Sequence, residues 1–420
     1  MIKMDYQSPR WTAEILDCSM PMTFDTYSSC AFNCQYCFAF YQKSHNVKGY
    51  QTQNVRCVNP AKIAMMFNNI LKGNFSALSK GERQFAPYVM RRKVMQWGAM
   101  ADQFDFWEKK YGVTLALLKF FDSIDYPLSF STKGAWWTED QRYMRIFARH
   151  KHNWHVKISI ITADKRKANV VEAGCQTPAE RMAALKRLSD IGINTTLRLR
   201  PYMIGLSDDW PILLEQAATS GVKSVTTEFF CLEARADEDM MKRYDAMSDI
   251  VGYNIYDFYM ANSKQHGYKR LSKEIKLPII KAMSEKAHDL GLRFNVSDAH
   301  CREFNDFTNC CGVPPSWNSQ VSHFGNAILL AKKNGHVKYS DIKNAVVALF
   351  PFGWVEAQGF NTGSNKAWAK FYDTKMHEWI RFCWNSPDAG NSPERMYSCL
   401  RSSGKDASGD VVYEYIGENV

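Results

Sequence analysis

The chain has 420 residues, 45% of them apolar and 14% aromatic, enough for a sizeable core in one large domain with an appendage or in two domains. It carries 53 Lys and Arg against 43 Asp and Glu; residues 1–300 hold 41 basic and 31 acidic groups, while residues 301–420 hold 12 of each. No low-complexity tract, short-period repeat or run of about 18 apolar residues is present, which argues against a disordered chain, a solenoid and a helical membrane protein. The N-terminus, MIKMDYQSPRWTAEIL, scatters charge and lacks an apolar h-region, so a cytoplasmic protein with reduced thiols is expected. The basic excess suits a phosphate-bearing or nucleic-acid partner, or else is a solvated lysine-rich surface.

A first strand is expected just before SSCAFNCQYCFAF (28–40), which holds Cys30, Cys34 and Cys37 at C-x3-C-x2-C spacing. Structural zinc usually takes four ligands, often as two separated cysteine pairs. Three thiolates suit an iron–sulfur cluster with one iron left for another ligand. Cysteines 18, 57, 175, 231, 383 and 399 lie far apart and read as small buried hydrophobes. Strand candidates follow at 93–97, 128–132 and 156–161. A helix is expected over 178–191, with Thr177 as N-cap, Pro178 in the first position and Glu180 completing a capping box. Ala184, Leu185, Leu188 and Ile191 form its apolar stripe, and Gly192 ends it. In the next strand, 195–200, Arg198 and Arg200 alternate with apolar residues and share a side. If that side is the lumen, Arg200 reaches a carboxylate or phosphate; if not, both arginines are solvated.

The same order of helix, glycine and strand recurs where PILLEQAATSG leads into 222–230 and LPIIKAMSEKAHDLG leads into 292–296. Repeated βα units imply a parallel sheet. Six or seven strands make an α/β fold, a partial (β/α)6-type TIM-like barrel over residues 1–300, with chemistry at the C-terminal strand ends. Residues 232–270 read as a helical insertion, and 301–420 as a mixed, mostly helical C-terminal extension. In AHCREFNDFTNCCGVPP, Cys301, Cys310 and Cys311, with His300, are a possible second metal site or else buried thiols beside a turn. Two aromatic stretches follow, 348–360 and 367–385, the second with helical spacing at Trp368, Phe371, Met376, Trp379 and Phe382. Core packing and base stacking are the two roles open to them.

The cysteine spacing, with Tyr36 before the last thiol, resembles the radical S-adenosylmethionine (radical SAM) superfamily. Over roughly residues 24–205 further motifs are similar to those of its spore photoproduct lyase-like branch. These are WGAMADQFDFWE (97–108), STKG (131–134), KISIITAD (157–164), EAGCQTPAERMAALKRLSDIGI (172–193) and LRLRPYMIG (197–205). The resemblance implies a [4Fe–4S] cluster on Cys30, Cys34 and Cys37 whose open iron takes S-adenosylmethionine (SAM). It places Tyr36 beside the adenine, Gly98 where backbone approaches SAM, and Lys133 and Ser159 at the methionine end. Asp102, with Glu108, orders the loop through ribose or backbone amides, a surface carboxylate being the alternative for Glu108. An external electron donor of the flavodoxin or ferredoxin kind is implied as well.

Two positions depart from the lyase pattern. Ala99 stands where the lyases have a hydrogen-donating cysteine, and Ala101 where they have a serine. The thiol of the lyase repair route is therefore missing, and no residue is singled out as the radical quencher. The expected activity is hydrogen abstraction from a nucleic-acid base or nucleotide. The alternatives are a peptide or small metabolite acted on with an auxiliary cluster, and a non-enzymatic Fe–S sensor.

Overall fold

The computed structural model describes residues 2–12, 16–40, 54–263, 268–317, 324–349, 376–388 and 391–417. Its strands begin with β1 (Arg10–Trp11), β2 (Met22–Phe24), β3 (Met95–Trp97), β4 (Leu128–Thr132) and β5 (Trp154–Ser159). They continue with β6 (Asn194–Tyr202), β7 (Ser224–Phe229), β8 (Cys231–Glu233), β9 (Tyr268–Arg270) and β10 (Arg293–Val296). One eight-stranded sheet runs in the order β1-β2-β3-β4-β5-β6-β7-β10. From β2 onward every neighbour is parallel, and β1 joins β2 antiparallel at the edge. The order never reverses, as it would in a doubly wound sheet, so the sheet curls around one face and keeps its helices on the other. Among the described residues its two edges, β1 and β10, do not pair with each other, which leaves a partial barrel.

Alternation along the strands explains why the sheet curls this way. The outward face is aromatic: Trp97 stacks on Phe130 with centroids 5.4 Å apart, and Phe130 meets Trp154 edge-on at 5.4 Å. Phe147, on the helix Gln141–Phe147, closes over both at 5.1 and 5.0 Å. The inward face is polar. Ser131, Lys157, Thr196 and Ser224 lie in one register row, and Ser159, Arg198, Thr226 and Asn295 in the next row toward the C-terminal ends. A sheet with an apolar face for helices and a polar one for a lumen has only one way to bend.

The helix Pro178–Asp190 has the capping box expected of Thr177 and Glu180, and Gly192 takes a left-handed φ of +85° just beyond it. Residues 232–270 hold two helices, Glu238–Val251 and Ile255–Ala261, framed by the antiparallel ribbon β8–β9, which the sequence did not announce. The extension adds β11 (His336–Val337), β12 (Leu400–Lys405) and β13 (Val411–Tyr415), paired in the order β11-β13-β12. In its helix Met376–Trp384, Trp379 is buried and Phe382 exposed; Trp368 and Phe371 lie outside the described residues, as does the side chain of Met376.

The extension locks onto the barrel. Asp17 accepts a 2.6 Å bond from Tyr397 Oη and pairs with Arg302, and Phe324 N donates to Leu16 O at 3.1 Å. The loop Asn309–Val313 seals the lumen at its lower, N-terminal end. Asn309 Oδ1 accepts from Cys311 N and Val313 N at 3.1 and 2.9 Å, and Thr226 Oγ1 donates to Cys310 O. At Gly312 a Cβ would lie 2.6 Å from Thr196 Oγ1, so only glycine fits this close approach.

Candidate functional site

The three-cysteine loop leaves the C-terminal end of β2, and four neighbours hold it. Gln35 N donates to Val171 O at 2.9 Å, and Ala31 N to Asp105 Oδ2 at 2.6 Å. Gly174 lies so close beneath the loop that a Cβ there would stand 2.5 Å from Phe32 O. From the insertion, Arg243 donates to Cys34 O at 3.0 Å and to Asn33 Oδ1 at 2.7 Å. Cys34 is buried, whereas Cys30 and Cys37 are partly exposed.

The loop after β3 is organised by buried carboxylates. Asp25 Oδ1 accepts from the backbone N–H groups of Ala99, Met100 and Ala101 at 2.9, 3.0 and 3.1 Å, and Arg10 balances its charge. Gly98 begins this turn at φ +89°, where a Cβ would collide with the Ser131 carbonyl. Asp102 accepts from Thr132 Oγ1 and Lys133 N at 2.7 Å each and from Phe104 N at 2.9 Å. Burial pushes the Asp102 carboxyl up, and these bonds only partly oppose that rise. Glu108 is not the surface carboxylate that was one alternative. It is buried and takes bonds from Tyr27 Oη at 2.6 Å, Tyr143 Oη and Thr114 N at 2.7 Å, and Leu115 N at 2.9 Å. Both acids order backbone here.

Beside Cys34 lie a cation and a buried ion pair. Lys133 Nζ sits 5.5 Å from the centre of the Tyr36 ring. Burial alone would lower the Lys133 ammonium, but the charges of Cys34 and Glu172 raise it overall. Tyr36 Oη donates to Glu172, which Arg181 meets at 2.6 Å; both ion-pair side chains are 1% exposed. Arg181 also donates to Ser159 O at 2.7 Å, tying the end of β5 to this pair. Arg198 Nη1 reaches Ser159 Oγ at 3.2 Å, whereas Arg200 pairs with Glu228. The strand arginines thus face the lumen, and Arg198, which had no assigned role, is the one beside Ser159. Burial and the neighbouring Arg200 bring Arg198 down to about 10. Cys175, read as an isolated thiol, has its sulfur 3.9 Å from that of Cys34.

Lower in the lumen, Lys157 is buried and donates to Gln96 Oε1 and, at 2.9 Å, to Ser129 Oγ. The thiols of Cys310 and Cys311 stand within electrostatic reach of Lys157, Arg198 and Arg200. Cys301 is buried elsewhere, among Asp298, Lys276 and Glu303. Among the described residues, the one trio of His, Cys, Asp or Glu donor atoms lying within 4.8 Å of one another is Asp125, His150 and His152, which includes none of these cysteines. Cys301, Cys310 and Cys311 therefore do not gather around a single ion. Nor do Cys30, Cys34 and Cys37; a cluster of several irons does not ask for that closeness of either set. No helix among the described residues is long and apolar enough to cross a membrane.

No family model matches the chain. It is 24% identical over 236 residues to the uncharacterized protein Rv2578c of Mycobacterium tuberculosis and, equally, to Mb2609c of Mycobacterium bovis. The match takes in 53% of this chain and 65% of each relative, so the chain spans just under two thirds of their length. Among solved structures it is similar to a spore photoproduct lyase mutant with bound AdoMet and dinucleoside spore photoproduct. That likeness has a TM-score of 0.49 and 13% identity, over 70% of this chain and 80% of the other. It is also similar to Streptococcus suis SuiB bound to S-adenosylmethionine, with a TM-score of 0.41 and 13% identity, over 69% and 53% of the two chains.

Proposed function

We propose that the chain is a cytoplasmic radical SAM enzyme whose substrate is a nucleic-acid base or nucleotide. One observation carries the first part: three thiols within eight residues sit at the C-terminal end of a parallel barrel, with the Lys133 ammonium beside Cys34. Cys30, Cys34 and Cys37 would hold a [4Fe–4S] cluster. When bound, cluster and SAM together supply a 5′-deoxyadenosyl radical able to take hydrogen from an unactivated carbon. An electron carrier of the flavodoxin or ferredoxin class would reduce the cluster.

The chain's own residues have distinct tasks in this reading. Lys133 offers a point charge for the SAM carboxylate. Ser159, steadied by Arg198, offers a hydroxyl beside it. Gly98 keeps the loop after β3 free of a Cβ, and Asp25 and Asp102 fix that loop against the ends of β2 and β4. Tyr36, its hydroxyl spent on Glu172, presents a ring face to an adenine.

The substrate class rests on charge. Lys157, Arg198 and Arg200 line the lumen, and Glu228 is the carboxylate paired with Arg200. Among the described residues Arg200 Nε has no hydrogen-bond partner. A phosphate-bearing substrate would meet that excess, and the basic surplus of residues 1–300 points the same way. Anaerobic reconstitution with iron, sulfide, SAM and reductant should yield 5′-deoxyadenosine from the wild type. Cys34→Ala should bind no site-differentiated cluster and release none. A Cys34→Ala protein that still cleaved SAM would end this assignment.

A further inference from the structure

Cys175 is the thiol the proposed chemistry leaves unused, and its surroundings give it a task. It lies in the turn between the helices Lys165–Val171 and Pro178–Asp190, where its N–H donates to Glu172 O at 2.8 Å. Its sulfur reaches Cys34 across 141 positions of sequence, at 3.9 Å, a distance suited to a thiol hydrogen bond. A shared mononuclear site would need further donors at similar spacing, and among the described residues no trio containing these two sulfurs lies within 4.8 Å. The two are free thiols at this separation, since a disulfide holds its sulfurs about 2 Å apart.

A cysteine that ligates iron does so as its thiolate, which can accept a hydrogen bond but has none to give. With Cys34 in that role, the Cys175 S–H is the donor of the 3.9 Å pair and points at the ligating sulfur. A donor aimed at a ligating sulfur stabilises the added negative charge of a reduced cluster more than the oxidised state, which raises the reduction potential.

We infer that Cys175 is a positioning residue whose S–H bond to the Cys34 sulfur sets the potential at which the cluster accepts its electron. The inference rests on the proposed function, because it takes Cys34 as a ligand. The test compares the reconstituted full-length wild type with Cys175→Ala and Cys175→Ser, measuring bound iron and a reductive titration of the cluster's spin signal. Iron content should be the same in all three. Cys175→Ala should make reduction about fivefold to tenfold less favourable, a shift of about 40–60 mV to more negative potential at 59 mV per tenfold. Cys175→Ser keeps a donor and should recover at least half of that shift.

Equal potentials at full iron content would overturn the inference and leave the enzyme assignment standing. So would iron lost from both variants, which would make Cys175 a ligand or a structural residue. A serine variant no better than alanine would show that packing, not a proton, is at work. A wild type that takes up no cluster would overturn both proposals together.

Discussion

Replacing Lys133 by Met removes a charge and little else. The thioether chain keeps the length of the lysine stem, so contacts along Tyr36 survive while the ammonium goes. Among the described residues the Lys133 side chain makes no hydrogen bond; its ammonium sits over the Tyr36 ring, and Asp102 holds its backbone N–H. Its three donors are thus available, and the charges of Cys34 and Glu172 keep it protonated despite burial. A hydrogen bond to a charged group contributes about 1.5–3 kcal/mol net. At about 1.4 kcal/mol per tenfold, SAM affinity should fall about tenfold to 150-fold. The assay is equilibrium dialysis of SAM against reconstituted wild type and Lys133→Met, matched for iron so that cluster loss cannot mimic weak binding. Affinity within about twofold of wild type at full iron content would be too small for a lost charge-assisted bond, and would remove Lys133 from the cofactor contacts.

The buried Glu172 should leave a mark on pH dependence. Burial raises its carboxyl, but Arg181, Lys133 and Tyr36 more than offset this and hold it below its ordinary 4.5. Its stabilisation is therefore complete above about pH 4.5 and lost as pH falls through the lower folded-state value, so Glu172→Gln should flatten the acid limb of denaturant-measured stability. An unchanged acid limb would contradict the pairing with Arg181. Gly98→Ala should cost roughly 2–5 kcal/mol in denaturant unfolding, the sum of left-handed backbone strain and collision with the Ser131 carbonyl. Wild-type stability in that variant would disprove the close approach. If a polynucleotide binds the barrel mouth through about six phosphates, its affinity should drop about a thousandfold between 50 and 200 mM salt. A flat salt titration for DNA and RNA would restrict the substrate to something smaller or uncharged.

What was legible in the sequence was punctuation and period. β4 begins and ends at the expected residues, and the helix after Thr177 begins where its capping box placed it, because glycine, proline and capping side chains act locally. The alternation of Arg198 and Arg200 with leucines gave their common face; only the assembled sheet shows that this face is the lumen. The illegible parts are contacts between distant segments. Sequence left Glu108 either ordering the loop with Asp102 or exposed as a surface acid, and only Tyr27 and Tyr143, from two other elements, show it buried and bonded. Asp25, Arg243 and Cys175 carry no local motif, and each acts on residues 74 to 210 positions away. The ribbon β8–β9 has three residues per strand, too few to show a period.

The loop Asn309–Val313 bears on the order in which the molecule is made. Domains generally fold as the chain emerges, N-terminal part first. All the barrel strands and the cysteine loop have been synthesised once residue 296 has left the ribosome, yet the piece that shuts the lower end of the lumen comes later. Until residues 309–313 follow, the nascent partial barrel lacks its lower closure, with water in contact with Lys157; the contact of Asp17, in the first segment, with Tyr397 waits for about eighty residues more. The contacts between the two ends of the chain form last, and pairings of such long sequence separation slow the final folding step.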